Sequence, residues 1–161
     1  MTFKLYVFDL DETLWCTDQD EEDIYPIEGP FHLEDQHLAR SQNSKGRLRT
    51  GTRRLLNAIH KNGGISALAC RAEEGTCNQI LETFGIRDRF FYPRYGLMEK
   101  GEAILEVLAE IRKTLNFEIS TKEVLFLDDA PANTAEARRV GAKALLYGRD
   151  VRDLSELKKW C

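Results

Sequence analysis

Cysteine is sparse and scattered: Cys16, Cys70, Cys77 and Cys161 form no Cys-x-x-Cys pair. That argues against a structural zinc site and against a compact disulfide framework, leaving buried or free thiols as the expectation. The three histidines, His32, His37 and His60, lack any ligand spacing. No apolar run approaches the roughly 20 residues that span a bilayer, so a membrane partner has no support. The opening MTFKLYVFDLDE is broken by Lys4 and Asp9, too early for a secretory h-region, and a cytoplasmic protein is expected. A basic excess is missing as well. Lysine and arginine number 23 against 27 aspartates and glutamates, a net charge of −4, which argues against a nucleic-acid platform. There is no internal repeat and no linker.

What is present suits one domain over all 161 residues, with enough chain to bury a core of its own. Leu5-Tyr6-Val7-Phe8 is a short apolar run ending in acids, the pattern of a strand buried on both faces of a parallel sheet. Similar runs occur at 65–69, at 124–127 (again ending in acids) and at 144–147. Helical spacing lies between them. Leu55, Leu56 and Ile59 share a face, with Thr50 or Thr52 as N-cap and Gly63 as stop, and Cys77, Ile80, Leu81 and Phe84 repeat the spacing up to Gly85. The longest helix is predicted from about Glu99 to Leu115, its stripe being Ile104, Leu105, Leu108, Ile111 and Leu115. Another runs from Ala132 to Val140, and Leu154, Leu157 and Trp160 suggest a C-terminal helix docked on the domain. Alternating strands and helices imply right-handed crossovers and an α/β fold: a three-layer sandwich around a doubly wound, mainly parallel sheet. Residues 16–48 break the alternation. They are acidic from Asp18 to Asp23, and Tyr25, Ile27, Phe31 and Leu33 alternate around Pro26 and Pro30, so a β-hairpin flap is expected there.

The chemistry concentrates at strand ends. Asp9 and Asp11 are two apart and share a face of an extended segment. Asp128 and Asp129 follow a different strand, and ligands of open α/β sheets sit beyond the carboxyl ends of the strands. Carboxylates brought together there would raise one another's pKa values unless a cation neutralised them. A hard divalent ion such as Mg2+ suits an oxygen site with few protein ligands and room for a phosphate. Phosphoryl transfer is the natural chemistry, with one carboxylate as nucleophile, another as acid and base, and Lys100 as a point charge on the phosphate.

DLDET at 9–13, a lone lysine after an apolar strand and helix, and LDDAPAN at 127–133 resemble the haloacid dehalogenase (HAD) superfamily over nearly the whole chain. FDLDETLW, the Pro30-Phe31 flap, ALACRAEE, FFYP and FLDDAPANTAEARRVG look more closely like the magnesium-dependent phosphatase-1 family, which has a short flap in place of a large cap. The resemblance implies a Mg2+-dependent phosphatase with Asp9 as nucleophile. It makes Asp11 the general acid/base whose backbone carbonyl also binds the metal, and Lys100 the phosphate-holding lysine. Asp128 becomes a direct metal ligand, Asp129 a ligand through water or an orienting group, and Thr13 a brace for the loop. The chain departs from that pattern at its second motif. Cys70 stands where the family has Ser or Thr, and Ala72 where close relatives carry a hydroxyl. A thiol is a weaker donor, Ser66 lies too early in the strand to substitute, and the phosphate must rely on Arg71 and the amides of the next helix. A working but slower enzyme is expected.

The substrate class is a small phosphorylated metabolite, a sugar or amino-sugar phosphate, or a phosphoprotein side chain, since a small cap leaves the site open. The acidic run at 18–23 would favour substrates carrying a cation. The expected protein is a monomer or homodimer. Two other functions compete. An inactive phosphate-binding relative is suggested by Cys70 and opposed by the intact carboxylates. A receiver-type signalling domain needs a phospho-accepting acid after a middle strand, where this chain has Ala69-Cys70-Arg71.

Overall fold

The computed structural model describes residues 3–17 and 27–161. Five strands form the main sheet: β1 (Leu5–Phe8), β6 (Ile65–Cys70), β7 (Arg94–Tyr95), β8 (Val124–Asp128) and β9 (Lys143–Leu146). Their order is β7-β6-β1-β8-β9 and every pairing is parallel. β1 is central, with Leu5 opposite both Ile65 and Val124. It buries side chains to both faces: Tyr6 and Phe8 join one apolar cluster, Leu5 and Val7 the other. That is why its sequence reads as an unbroken apolar run.

On the first face lie α1 (Thr52–Lys61) and α2 (Glu74–Thr83), through Leu55, Leu56, Ile59, Cys77, Ile80 and Leu81. On the second lie α3 (Lys100–Leu115) and α4 (Pro131–Arg139), through Ala103, Ile104, Val107, Ile111 and Ala137. The result is the three-layer α/β arrangement with a mainly parallel sheet. Leu154–Trp160 folds as 3-10 turns, not an α-helix. It buries Leu154 and Leu157 with the α1 face, and Tyr6 Oη donates to the Trp160 carbonyl at 2.5 Å.

The flap is a larger unit than a hairpin. β2 (Trp15–Thr17), β3 (His32–Leu33), β4 (Leu38–Arg40) and β5 (Lys45–Leu48) make an antiparallel sheet in the order β2-β5-β4-β3. Phe31 is buried, whereas Leu33 is half exposed, so the expected alternation ends at Phe31. Tyr25 and the acidic run 18–23 lie outside the described residues.

Other boundaries differ for identifiable reasons. β7 has only two residues, too few for a periodic signal. Gly51, not Thr50 or Thr52, occupies the N-cap of α1, with φ of 92°; that left-handed conformation is one glycine adopts without a Cβ penalty. Thr52 Oγ1 donates instead to the carbonyl of Arg49 at 2.8 Å. In α3 Leu105 and Leu115 are exposed, and the buried face runs through Lys100, Ala103, Ile104, Val107 and Ile111. The inward face of the helix thus includes a lysine and keeps Ile104 and Ile111 of the expected stripe.

Candidate active site

Three neighbouring strands end at the same edge of the sheet. Asp9 follows β1 and extends its ladder, its amide donating to the Leu127 carbonyl at 3.0 Å. Asp128 closes β8, and Cys70 closes β6. After Asp9 the chain turns at once: the amides of Thr13, Leu14 and Trp15 all donate to the Leu10 carbonyl. Glu12 takes φ of 57° within that turn. Arg49 captures the Glu12 carbonyl at 2.7 Å and lies over the Tyr147 ring at 4.4 Å.

Lys100, the first residue of α3, enters this edge almost wholly buried, at 1 % exposure. Its Nζ donates to Asp9 Oδ1 at 2.8 Å and to the Ala69 carbonyl, and lies 3.6 Å from Asp128 Oδ2. Two features seat the head of α3. Glu136 of α4 accepts from the Lys100 amide at 2.6 Å, placing a carboxylate at the positive end of the helix. Gly101 lets the helices close, since a Cβ there would lie 2.9 Å from the Glu136 carbonyl and 3.0 Å from Val140.

Thr13 ties the Asp9 loop to the loop after β8. Its hydroxyl donates toward Asp129 Oδ1 at 3.2 Å and accepts from the Asp129 amide at 3.1 Å. Asp128 is held from two directions, by the Ala130 amide at 2.8 Å and by Asn133 Nδ2 at 2.9 Å. No acidic side chain caps α4; Ala130 is its N-cap residue.

Asp9, Asp128 and Asp129 each offer a carboxylate oxygen, all within 4.8 Å of one another. Burial is the main force on the first two. It raises the Asp9 carboxyl to about 7, the Lys100 charge pulling the other way and Asp128 and Asp11 adding to the rise. Burial also raises Asp128, against the pull of Lys100 and its two hydrogen bonds. For Lys100 burial acts downward, but the charges of Asp9 and Asp128 outweigh it and the ammonium is held above its usual range. One buried cation thus faces an excess of carboxylates. An all-oxygen donor set with uncompensated negative charge fits a hard divalent metal ion.

Of the residues singled out in the sequence, Asp9, Lys100, Thr13, Asp128 and Asp129 are brought together. Asp11 is beside them but contributes no carboxylate oxygen to the three-aspartate group; its Oδ1 accepts from the Trp15 indole at 2.7 Å. Cys70 is buried, and its thiol is raised by a hydrogen bond with Cys77 first and by burial second. Arg71 lies 3.5 Å from Glu136. Ser66 bonds with His60 and donates to the Arg89 carbonyl, on the β6 segment away from the site. Sequence reasoning assigned no role to Asn133, Glu136, Arg49 or Trp15. Asn133, Glu136 and Trp15 stand inside the motifs already quoted, Asn133 and Trp15 four residues after Asp129 and Asp11 respectively; Arg49 lies outside them and carries no local signal.

A family model described as Acid Phosphatase matches residues 1–152. No curated protein matches the chain at a significant level. Among solved structures, a HAD-superfamily hydrolase from Ehrlichia chaffeensis superposes with a TM-score of 0.73 at 16% identity, covering 99% of this chain and 97% of that one. A haloacid dehalogenase-like family hydrolase from Xanthomonas campestris gives 0.68 at 14% identity, covering 98% and 90%. A predicted phosphoglycolate phosphatase from Haemophilus somnus gives 0.67 at 16% identity, covering 98% and 97%. At these identities the likeness is one of fold.

Proposed function

The chain belongs to the Acid Phosphatase family, and from that premise we propose that it is a magnesium-dependent phosphomonoesterase working through an aspartyl-phosphate on Asp9. The observation that carries the reading is the convergence of Asp9, Lys100 and Asp128 at adjoining strand ends, with Asp129 tied in by Thr13. Within the family we place it nearest the magnesium-dependent phosphatase-1 group, because a small antiparallel sheet follows β1 where a larger cap would stand.

Asp9 and Asp128 would hold the metal directly, Asp11 through its backbone carbonyl, and Asp129 through water or by orienting its neighbours. When bound, the ion supplies positive charge that neutralises phosphate and lets Asp9 ionise. In the first half-reaction an Asp9 carboxylate oxygen attacks phosphorus, the ester P–O bond breaks, and Asp11 gives its proton to the departing oxygen. In the second, Asp11 takes a proton from water, the water oxygen attacks phosphorus, and the bond to Asp9 breaks, returning carboxylate and releasing phosphate. Lys100 keeps its charge throughout and offsets charge on the phosphoryl oxygens. Its hold on the Ala69 carbonyl fixes where that charge sits.

The substrate proposed is a small phosphorylated metabolite of the sugar or amino-sugar phosphate class, with a phosphoprotein side chain as the alternative. The test is phosphate release from an aryl phosphate with and without Mg2+, for the native chain and Asp9→Asn. Release that requires Mg2+ and disappears with Asp9→Asn is the expected result, and release that survives the substitution overturns the mechanism. A metabolite panel then separates the substrate classes.

A further inference from the structure

Asp11 is held from the flap side. Its Oδ1 accepts from Trp15 Nε1 at 2.7 Å, the length of a charge-assisted bond, and the two residues also form an isolated β-bridge. Trp15 opens β2 and is 1% exposed. It pairs with Leu48 of β5, and its ring lies so close over Gly46 that a Cβ there would collide with it. Phe31 packs edge-on at 5.7 Å between ring centroids, and Phe84, at the end of α2, at 6.4 Å. The indole is therefore fixed by flap residues on one side and by the core on the other.

Tryptophan brings to this position an N–H that must be satisfied when buried, which a phenylalanine between the two other phenylalanines would not. Among the described residues, the acceptor for that N–H is the carboxylate that stands outside the three-aspartate oxygen group. A carboxylate pinned at one oxygen by a rigid donor cannot swing about its own bond, and proton transfer depends on such placement.

We propose that Trp15 is a positioning residue for Asp11, and that the flap sheet, by gripping the indole, sets the direction from which Asp11 delivers its proton to the leaving oxygen. This rests on Asp11 being the acid and base of the proposed reaction. The flap is then part of the proton-delivery apparatus as well as a cover, and it adapts the site to alkyl phosphates, whose leaving oxygens cannot depart unprotonated.

The test is a series of monophosphate esters running from 4-nitrophenyl phosphate to simple alkyl phosphates, turned over by the Mg2+-loaded native chain, Trp15→Phe and Asp11→Asn. Trp15→Phe is expected to lose activity in proportion to leaving-group basicity: about 100-fold in kcat/KM on alkyl esters, the low end of what a positioned acid contributes, and far less on the nitrophenyl ester. Asp11→Asn follows the same trend, and the double variant is no worse than Asp11→Asn alone. Gly46→Ala, which displaces the ring without removing it, reproduces the trend in weaker form. A readout independent of turnover is the indole N–H resonance, since the chain has two tryptophans and Trp15→Phe identifies the signal. That signal moves and exchanges faster with solvent in Asp11→Asn. A loss in Trp15→Phe that is uniform across the series, or an indole signal blind to Asp11→Asn, overturns the proposal. A flat series for Asp11→Asn itself overturns the acid/base reading beneath it, while Mg2+-dependent release that still needs Asp9 would leave the nucleophile standing.

Discussion

Thr13 and Asp129, 116 positions apart in sequence, exchange two hydrogen bonds, the hydroxyl donating to the carboxylate at 3.2 Å and accepting from the backbone amide at 3.1 Å. The loop carrying Asp9 and the loop carrying the other acids are thus one mechanical unit, with a single hydroxyl as the joint.

Thr13→Val keeps the side-chain shape and removes the joint. Stability should fall by about 1–2 kcal/mol, the cost of buried polar groups left unpaired. The larger effect should be on metal affinity, as is usual when a supporting hydrogen bond of a metal site is cut: about 10- to 100-fold weaker Mg2+ activation. Magnesium titration of turnover beside urea unfolding separates the two.

Lys100→Met leaves Asp9 and Asp128 buried with no cation. Removing one partner of a buried ion pair costs about 3–5 kcal/mol, so the metal-free variant should unfold at much lower urea than the native chain. Added Mg2+ should restore part of that difference while activity stays absent.

The raised Asp9 carboxyl makes metal-free stability depend on pH. Between its ordinary value of 3.8 and about 7 the folded protein holds a proton that the unfolded chain gives up, so the contribution of this group falls as pH rises through that window. Asp9→Asn removes the titration. Its stability relative to the native chain should climb from pH 4 to pH 7, by on the order of 2 kcal/mol, in denaturant melts with a chelator present.

Gly101→Ala places a methyl group 2.9 Å from the Glu136 carbonyl, with backbone on one side and Val140 on the other. The helices must part at the point where Lys100 enters the site. Destabilisation of about 1–3 kcal/mol, typical of overpacking, should come with reduced turnover even where the fold is fully populated.

Cys70→Ser supplies the stronger donor at the end of β6. Turnover should rise several-fold, and stability should fall by about 1 kcal/mol because the hydroxyl enters an apolar site beside Cys77. Turnover unchanged or lower would show that the thiol does not limit this enzyme.

The main sheet was legible because strands buried on both faces write themselves as continuous apolar runs, as Leu5–Phe8 and residues 124–127 do. The phase of α3 was not. A hydrophobic stripe counts leucines and treats lysine as surface, yet Lys100 is buried with its carboxylates on the inward face while Leu105 and Leu115 are exposed. The same division runs through the site. Acids and a lysine in a fixed order along the chain carry a signal, whereas Glu136 under the Lys100 amide is a pairing that exists only once distant elements meet; Trp15 lies only four residues after Asp11, but its place in an apolar stretch reads as core and hides the indole hydrogen bond. The flap was misjudged in size because β3, β4 and β5 are short strands of mixed polarity.

β1 is synthesised before both of its partners and is the middle strand of the finished sheet, and those partners begin only at Ile65 and Val124. A ribosome making this chain releases a bare apolar ribbon and must translate past Val124 before both edges of that ribbon are covered. Parallel pairings over such separations form late and slowly, and unpaired strand edges invite aggregation in the meantime. The centre of the catalytic edge is therefore also a segment that waits long for its partners while the chain is being made.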